Sequence, residues 1–288
     1  GFGSDRPVAE RCTVIGRALE HRQMADVFGD LRDELDAGGP GADDAHPLAG
    51  APPGGTRCAS ATWGASMPFK PNKPLLYLIT SGATTGQTTS STEEFSRVLK
   101  LIQSAVSAQI DLVQIREKRL STRVLYELAT SAATITQGTS TKLLINDRAD
   151  VASAAGADGV HLTTRSVPAD VVRSAFGQNL LIGVSTHSLD EAVDASQRGA
   201  DFIVFGPVFE TISKRGYLEP LGLDGLAKVV STLPNLPVLA LGGIDRERAS
   251  ECARAGAAGV AAISMFDDPA RLIEIAKEVR STLGEGRS

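Results

Sequence analysis

The sequence is poor in cysteine, and the cysteines it has form no recognisable framework. Cys12, Cys58 and Cys252 are widely spaced and odd in number, and none belongs to a Cys-x-x-Cys pair. We therefore expect neither a disulfide-stabilised secreted domain nor a structural zinc site. A reducing, cytoplasmic location fits this cysteine usage.

Three further features are missing, and they bear on the location and the partners of the protein. No apolar run approaches the roughly 18 residues that a membrane-spanning helix needs. The N-terminus also lacks the charged start and apolar block of a secretory signal. Positive charge is not in excess, because 29 Lys and Arg residues oppose 34 Asp and Glu residues to give a net charge of −5. We therefore expect no nucleic-acid partner and no membrane partner.

The 288-residue chain divides into two unequal parts. Residues 1–70 are expected to be a poorly structured N-terminal extension, disordered or foreign to the native protein. An amphipathic stretch from Val8 to Leu35 is followed by a Gly-, Ala-, Pro- and Asp-rich segment, Asp36 to Gly55, which cannot bury a core. One hypothesis is that this part is translated from upstream of the natural start, with Met67 as the initiator.

Residues 74–284 alternate short apolar or β-branched runs with longer segments of helical period. The predicted strands are Leu75–Thr80, Asp111–Arg116, Lys142–Asn146, Gly159–Leu162, Leu180–Ser185, Phe202–Gly206, Pro237–Leu241 and Gly259–Ser264. The predicted helices are Glu93–Ala108, Thr122–Thr136, Ala149–Ala155, Pro168–Phe176, Leu189–Arg198, Leu223–Thr232, Arg246–Ala255 and Pro269–Leu283. Eight strand–helix pairs predict an α/β fold, a single (β/α)8 TIM barrel. An open doubly wound sheet is the rival, but the first turn lacks the Gly-x-Gly-x-x-Gly spacing.

In this fold the active site lies at the C-terminal ends of the strands, so the residues there are the candidates. At the end of the second strand, Gln114 and Arg116 share one face, and Lys118 follows in the loop. Two cations at a barrel mouth suit a phosphate or a diphosphate. The alternative is a surface ion-pair cluster with Glu117.

The third, fourth and fifth strands each carry polar residues at or close to their C-terminal ends. Asn146 and Asp147 suit Mg²⁺ binding or substrate orientation, unless Asp147 simply caps the next helix. His161 is expected to be a hydrogen-bonded core histidine. After Ser185, the side chain of His187 is placed for proton transfer near neutral pH, or is a solvent-exposed loop residue.

The last three strand ends predict a site for an anion. Gly242 and Gly243 after the seventh strand, with Ile263 and Ser264 at the end of the eighth, predict the phosphate-binding cup common in this fold. The loop after the sixth strand carries hydroxyls and cations, including Thr211, Ser213 and Lys214, and such a loop can fold over an anionic ligand.

Several of these segments, in this order, resemble the thiamine-phosphate synthase family over Pro74 to Leu283. The segments that carry the resemblance are Gln114-Ile-Arg-Glu-Lys118, Ile145-Asn-Asp-Arg148, Ala157-Asp-Gly-Val-His161-Leu, Gly206-Pro-Val-Phe209, Ser213-Lys214 and Ala240-Leu-Gly-Gly-Ile244. The family has two branches. Thiamine-phosphate synthase joins hydroxymethylpyrimidine diphosphate to thiazole phosphate with Mg²⁺, and thiazole tautomerase aromatises a carboxylated thiazole phosphate by a proton shift.

For the synthase branch, the resemblance implies that Arg116 and Lys118 grip the diphosphate. Gln114, Asn146 and Ser185 would contact the substrates, and Asp147 would be one Mg²⁺ ligand. The second carboxylate expected of a synthase is replaced in this chain by Ser166. A neutral hydroxyl is a poor Mg²⁺ ligand, so this departure counts against the synthase.

For the tautomerase branch, the resemblance rests on the segment from Thr186 to Ala192 and on Val208 to Thr211 followed by Lys214. It implies that His187 shuttles the proton and that Lys214 assists, with Thr211 and Ser213 at the thiazole end. Residues expected to bind the substrate phosphate are Gly242, Gly243, Ile263 and Ser264.

We therefore expect a thiazole tautomerase that acts on a phosphorylated thiazole and needs no cofactor. The first alternative is a thiamine-phosphate synthase that uses Mg²⁺. The second is a non-catalytic protein that binds a phosphorylated thiazole or thiamine. A homo-oligomer is compatible with each of these functions, and the sequence identifies no interface.

Overall fold

The computed structural model describes residues 73–211 and 219–286. The expectations for residues 1–70, including the amphipathic stretch, the Gly- and Pro-rich segment and Met67, lie outside the described residues. Ser213 and Lys214 lie outside them as well.

Eight parallel strands close into a barrel in chain order, and β8 pairs with β1. The strands are β1 (Leu75–Ile79), β2 (Leu112–Ile115), β3 (Lys142–Asn146), β4 (Gly159–Leu162), β5 (Leu181–Thr186), β6 (Phe202–Phe205), β7 (Val238–Leu241) and β8 (Gly259–Ala262). The helices of the described part are α1 (Glu93–Ser107), α2 (Thr122–Thr136), α3 (Ala149–Ala155), α4 (Ala169–Phe176), α5 (Leu189–Gln197), α6 (Gly222–Thr232), α7 (Arg246–Arg254) and α8 (Leu272–Glu285). The predicted (β/α)8 barrel is confirmed, and the open doubly wound sheet is excluded. Within the described ranges, no helix is long and apolar enough to cross a membrane.

Glycine ends several helices and turns the chain toward the next strand. Gly156 follows the last residue of α3 in the left-handed region, at φ 74°, and Gly199 and Gly256 adopt the same region after α5 and α7. A residue with a β-carbon is strained in this conformation, so glycine is the favoured stop. These stops keep the connections from helix to strand short.

Acidic side chains join neighbouring strands at the N-terminal end of the barrel. Asp111, Asp158 and Asp201 each precede an even-numbered strand, and each accepts a backbone N–H of the preceding strand at 2.7 to 2.9 Å. Each carboxylate also pairs with a cation, namely Arg280, Lys142 and Arg173 respectively. Before β8 the corresponding residue is Ala258. These bonds favour a single register at the end of the barrel that lies away from the candidate site.

Side-chain alternation along the strands separates two cores. One core fills the barrel, and its buried members are Leu75, Tyr77, Ile79, Leu112, Leu144, Leu181, Phe202, Val204, Leu239 and Ala261. The other packs the outer faces of the strands against the helices. Gly183 leaves room inside the barrel for the Phe202 ring, which a β-carbon at position 183 would meet at 2.2 Å. Because aromatic and aliphatic side chains fill the barrel below them, the polar residues at the strand ends lie above a closed floor.

Candidate active site

The second strand presents two cations that no carboxylate neutralises within the described part of the chain. Arg116 is half-buried, Lys118 is exposed, and neither forms an ion pair with a described residue. The backbone N–H of Arg116 donates to the Thr80 hydroxyl at 2.9 Å, which fixes the start of the loop. Unpaired cations at a strand end are suited to bind a phosphate group.

Glu117 lies between these cations in sequence but serves a different purpose. Its carboxylate is buried, at 4 % exposure, and accepts from Gly82 N at 3.2 Å and from Thr84 N at 3.1 Å. It also accepts from the Thr84 hydroxyl at 2.6 Å. The interpretation of these residues as a surface ion-pair cluster is therefore wrong, because Glu117 anchors the loop after β1.

At the end of β3, Asp147 is exposed and has a left-handed backbone, with φ 60°. Its backbone N–H donates to the carbonyl of His161 at 2.9 Å. The alternative that Asp147 caps the next helix is wrong, because Arg148 occupies that position and makes no side-chain capping bond. Asp147 therefore has a carboxylate that accepts no hydrogen bond from the described residues.

A continuous chain of hydrogen bonds crosses the mouth of the barrel from β3 to β5. Gln114 donates to Asn146 Oδ1 at 3.0 Å and accepts from the Tyr77 hydroxyl at 3.1 Å. That hydroxyl also lies 3.1 Å from His161 Nδ1, and His161 Nε2 lies 2.8 Å from the Ser185 hydroxyl. The structure thus brings three predicted site residues, Gln114, Asn146 and Ser185, into one network.

The middle of this network is buried. Tyr77 is fully buried and His161 is 2 % exposed. Burial, helped by the nearby charge of Arg116, lowers the pKa of His161 to about 3, so the ring is neutral at pH 7. The expectation that His161 is a hydrogen-bonded core histidine is confirmed. Tyr77 was missed, although a tyrosine in an otherwise aliphatic strand is the signal that could have identified it.

His187 follows β5 and is half-buried. Its Nδ1 hydrogen-bonds to the carbonyl oxygen of Gly206, and its backbone N–H donates to the Glu191 carboxylate at 2.6 Å. A carbonyl oxygen can only accept, so Nδ1 carries a proton and Nε2 is the nitrogen that can exchange one with a substrate. The Ser188 hydroxyl caps α5 by accepting from Glu191 N at 3.1 Å.

The two glycines after β7 both have positive φ, 100° at Gly242 and 63° at Gly243. A β-carbon at Gly242 would lie 2.7 Å from Pro207 Cα, and one at Gly243 would lie 2.4 Å from the Glu210 carbonyl oxygen. The loops after β6 and β7 therefore pack backbone against backbone. Arg248 supports this contact by donating to the Gly243 carbonyl at 2.7 Å and lying 5.0 Å from the Phe209 ring centre.

The remaining predicted residues lie at the ends of β8 and β6. Ile263 packs on the core inside the barrel, and Ser264 begins a single turn of 3-10 helix, Ser264–Phe266. Because β7 and β8 are neighbours, Gly242, Gly243 and Ser264 lie at one side of the mouth. Thr211 is the last described residue before the gap. Phosphate binding by this group stays a prediction.

Only one carboxylate of the described site is suited to bind Mg²⁺. The Ser166 hydroxyl, where a synthase is expected to have a second acid, accepts from Thr163 N at 2.8 Å and lies 3.0 Å from the Thr163 hydroxyl. The described residues contain no cluster of three His, Cys, Asp or Glu side chains that could enclose a metal ion. Mg²⁺ is commonly held by one or two carboxylates together with substrate phosphates, so Asp147 fits it as a single protein ligand of a Mg²⁺–diphosphate complex.

Comparisons of the sequence with known proteins agree on one family. The family model described as thiamine monophosphate synthase matches residues 76–266. A putative thiamine-phosphate synthase of Geobacter sulfurreducens is 47 % identical over 173 residues, which cover 60 % of this chain and 81 % of that protein. Putative thiamine-phosphate synthase 2 of Aquifex aeolicus is 42 % identical over 67 % of this chain and 97 % of its own.

Solved structures support the same relationship. The thiamine phosphate pyrophosphorylase of Pyrococcus furiosus superposes with a TM-score of 0.63 and 31 % identity, over 75 % of this chain and 98 % of that chain. A structure titled native KDPGal, at 17 % identity and a TM-score of 0.56, shares the fold alone.

Proposed function

The chain belongs to the thiamine monophosphate synthase family, and on that basis we propose that it is a thiamine-phosphate synthase. The reaction would couple hydroxymethylpyrimidine diphosphate to thiazole phosphate and release diphosphate. Two cations that no described carboxylate neutralises, Arg116 and Lys118, carry this proposal. They lie one strand away from Asp147, whose carboxylate accepts no hydrogen bond from the described residues.

Two anionic groups have to be held at once in this reaction, and the mouth offers a place for each. Arg116 and Lys118 at the end of β2 suit the diphosphate. The glycine turn after β7, with Ser264 after β8, suits the phosphate of the thiazole. Asp147 follows β3 and Gly242 follows β7, and these two strands are four strands apart in either direction around the barrel. The reacting carbon and nitrogen would therefore meet between these sites.

The bond changes define what the side chains must do. A C–N bond forms between the thiazole nitrogen and the methylene carbon of the pyrimidine, and the C–O bond to the diphosphate breaks. No proton has to move in this exchange, so the main requirement is to stabilise the charge of the departing diphosphate. Arg116 and Lys118 supply that stabilisation directly, and the barrel mouth orients the two rings.

Mg²⁺ would be held by Asp147 together with oxygens of the diphosphate, and it would neutralise part of the diphosphate charge. A second carboxylate is not required for this arrangement, because the substrate itself supplies oxygen ligands. Ser166 in place of a second acid is therefore compatible with a synthase.

The tautomerase expected from the sequence is not supported by the comparisons, since the relatives described above are named as thiamine-phosphate synthases or as a thiamine phosphate pyrophosphorylase. Proton transfer by a tautomerase is nevertheless the competing outcome of the test, because of His187. Its Nδ1 is hydrogen-bonded to the Gly206 carbonyl, and its Nε2 has no hydrogen-bond partner among the described residues, as a proton shuttle needs. Synthesis does not need that proton transfer, so the two activities can be separated in one experiment.

The test supplies the purified full chain with both substrate sets in parallel. With hydroxymethylpyrimidine diphosphate, thiazole phosphate and Mg²⁺, we expect release of diphosphate and formation of thiamine phosphate, both dependent on the thiazole. With the carboxylated thiazole phosphate alone, we expect no aromatised product above the rate without protein.

Three outcomes contradict the proposal. Aromatisation without diphosphate release would establish the tautomerase. Tight binding of the thiazole phosphate without turnover of either set would identify a non-catalytic binding protein. Diphosphate release that does not depend on the thiazole would indicate a hydrolase.

A further inference from the structure

We propose that Tyr77 is a positioning residue, which, through His161 and Gln114, determines whether Ser185 and Asn146 present a hydrogen-bond donor or an acceptor to the substrate. The five side chains come from five consecutive strands, in the order β3, β2, β1, β4 and β5. The proposal rests on the proposed function only for the choice of substrate in the kinetic experiment.

The direction of the hydrogen bonds follows from counting protons. The Tyr77 hydroxyl has a single proton, and that proton is directed to Gln114 Oε1, which can only accept. The 3.1 Å contact between the same hydroxyl and His161 Nδ1 must then be donated by the ring. The His161 ring is 2 % exposed and has no carboxylate partner among the described residues, so it holds a single proton. Nε2 therefore carries none and must accept from the Ser185 hydroxyl at 2.8 Å.

The same count continues on the other side of Tyr77. Gln114 uses its oxygen to accept from Tyr77, so its amide nitrogen is the atom that donates to Asn146 Oδ1. The chain therefore runs in one direction, from Ser185 through His161, Tyr77 and Gln114 to Asn146. Reversing any one bond places two donors or two acceptors against each other, and in a buried site such a mismatch is costly.

The two ends of the chain are the partly exposed residues. Ser185 and Asn146 are both half-buried, whereas the three side chains between them are buried. With its proton committed to His161, Ser185 can offer only lone pairs to a ligand. The oxygen of Asn146 already accepts from Gln114, so its two N–H groups are the unused atoms that it offers to a ligand. The site would therefore select a ligand that donates toward β5 and accepts toward β3.

The Tyr77 hydroxyl fixes the direction in which the hydrogen bonds of this chain run. This hydroxyl is the one atom that contacts both halves of the chain, and the Tyr77 ring is held edge-on against Phe202, with 5.7 Å between the ring centres. In Tyr77→Phe the ring packing is kept and the hydroxyl is lost. His161 then has no acceptor at Nδ1, so we expect its proton to move to Nε2, which turns Ser185 into a group that can donate to the ligand.

The experiment measures the tautomer of His161 and the kinetics of the full chain. Two-bond correlation between ring protons and ring nitrogens distinguishes an Nδ1–H from an Nε2–H histidine. The chain has four histidines, and His161→Gln identifies the signals of His161 by their loss. We expect Nδ1–H in the wild type and Nε2–H in Tyr77→Phe.

In the kinetic experiment we expect Tyr77→Phe to raise KM for the pyrimidine diphosphate about tenfold, the cost of one mismatched hydrogen bond, with a change in kcat of less than about threefold. The matched control is Thr186→Val. Thr186 follows Ser185 in β5, and its buried hydroxyl has no hydrogen-bond partner among the described residues. We expect this control to leave both the His161 tautomer and KM unchanged.

An Nε2–H tautomer in the wild type would overturn the proposal whether or not the variants fold. So would an unchanged tautomer and unchanged KM in a folded Tyr77→Phe. A third outcome separates the two proposals. If the His161 tautomer is Nδ1–H in the wild type and changes in Tyr77→Phe, but the wild type releases no diphosphate, the positioning role is supported and the synthase is contradicted. The failure of each proposal can therefore be recognised separately.

Discussion

The carboxylate of Glu117 lies 2.6 Å from the hydroxyl of Thr84 and joins the end of β2 to the loop that follows β1. Two backbone N–H groups of the same loop, from Gly82 and Thr84, donate to this carboxylate. Glu117 is thereby turned away from its neighbours in sequence, Arg116 and Lys118. One buried acid thus orders a loop at the mouth and leaves the flanking cations available to an anionic ligand.

We expect Glu117→Gln to lower the free energy of unfolding by about 1 to 3 kcal/mol, because an amide NH2 would face backbone donors that the carboxylate now accepts. Urea unfolding measures this change, and faster hydrogen exchange at the Thr84 amide would locate it. The control is Glu127→Gln, which removes an exposed pair with Arg123 and should change stability by less than about 0.5 kcal/mol. Equal effects of the two substitutions would contradict an anchoring role.

Lys118 should contribute to binding of the diphosphate and not to stability. It is exposed and has no carboxylate partner among the described residues. We expect Lys118→Ala to raise KM for the pyrimidine diphosphate at least about tenfold, an effect that weakens as ionic strength increases. Lys100→Ala, on the exposed face of α1, provides the comparison and should leave KM unchanged. Parallel responses of the two lysines to salt would mean that only general charge is being measured.

His187 separates the two activities of the family. Coupling of the two rings moves no proton, so we expect His187→Asn to keep diphosphate release within about threefold of the wild type. The asparagine amide can still donate to the Gly206 carbonyl, which His187 Nδ1 contacts in the wild type. Steady-state assay of diphosphate release is the measurement. A loss of about a hundredfold or more would contradict the expectation that diphosphate release does not depend on this histidine.

The barrel could be predicted from the sequence because its signals are local. Hydrophobic runs of strand length recur, and glycine stops such as Gly156 and Gly199 mark where each helix ends. For the same reason the strand-end residues Gln114, Asn146 and Ser185 could be identified one by one. Their connection could not, because it depends on Tyr77, which belongs to another strand and contacts Gln114 across 37 positions of the chain.

The burial of the Glu117 side chain could not be predicted from the sequence either. From the sequence, Glu117 between Arg116 and Lys118 left an ion-pair cluster open as the alternative to a phosphate site. The structure buries Glu117 instead, because the loop after β1 offers its carboxylate three donors. Gly82 and Thr84 are 33 to 35 residues away from Glu117 in the sequence, and contacts at that separation produce no periodic pattern from which they could be predicted.

Gly243 tests the phosphate cup, because a β-carbon there would face both a positive φ of 63° and the Glu210 carbonyl oxygen at 2.4 Å. We expect Gly243→Ala to push the loops after β6 and β7 apart and to weaken thiazole phosphate binding about tenfold or more, measured by calorimetry. Gly138→Ala isolates the backbone cost, since Gly138 has φ 75° and nothing within 4 Å of an added β-carbon. That variant should lose about 1 kcal/mol of stability and bind the phosphate normally. If both variants lose stability equally and both bind normally, the glycine turn does not hold the phosphate and the cup must be sought elsewhere on the mouth.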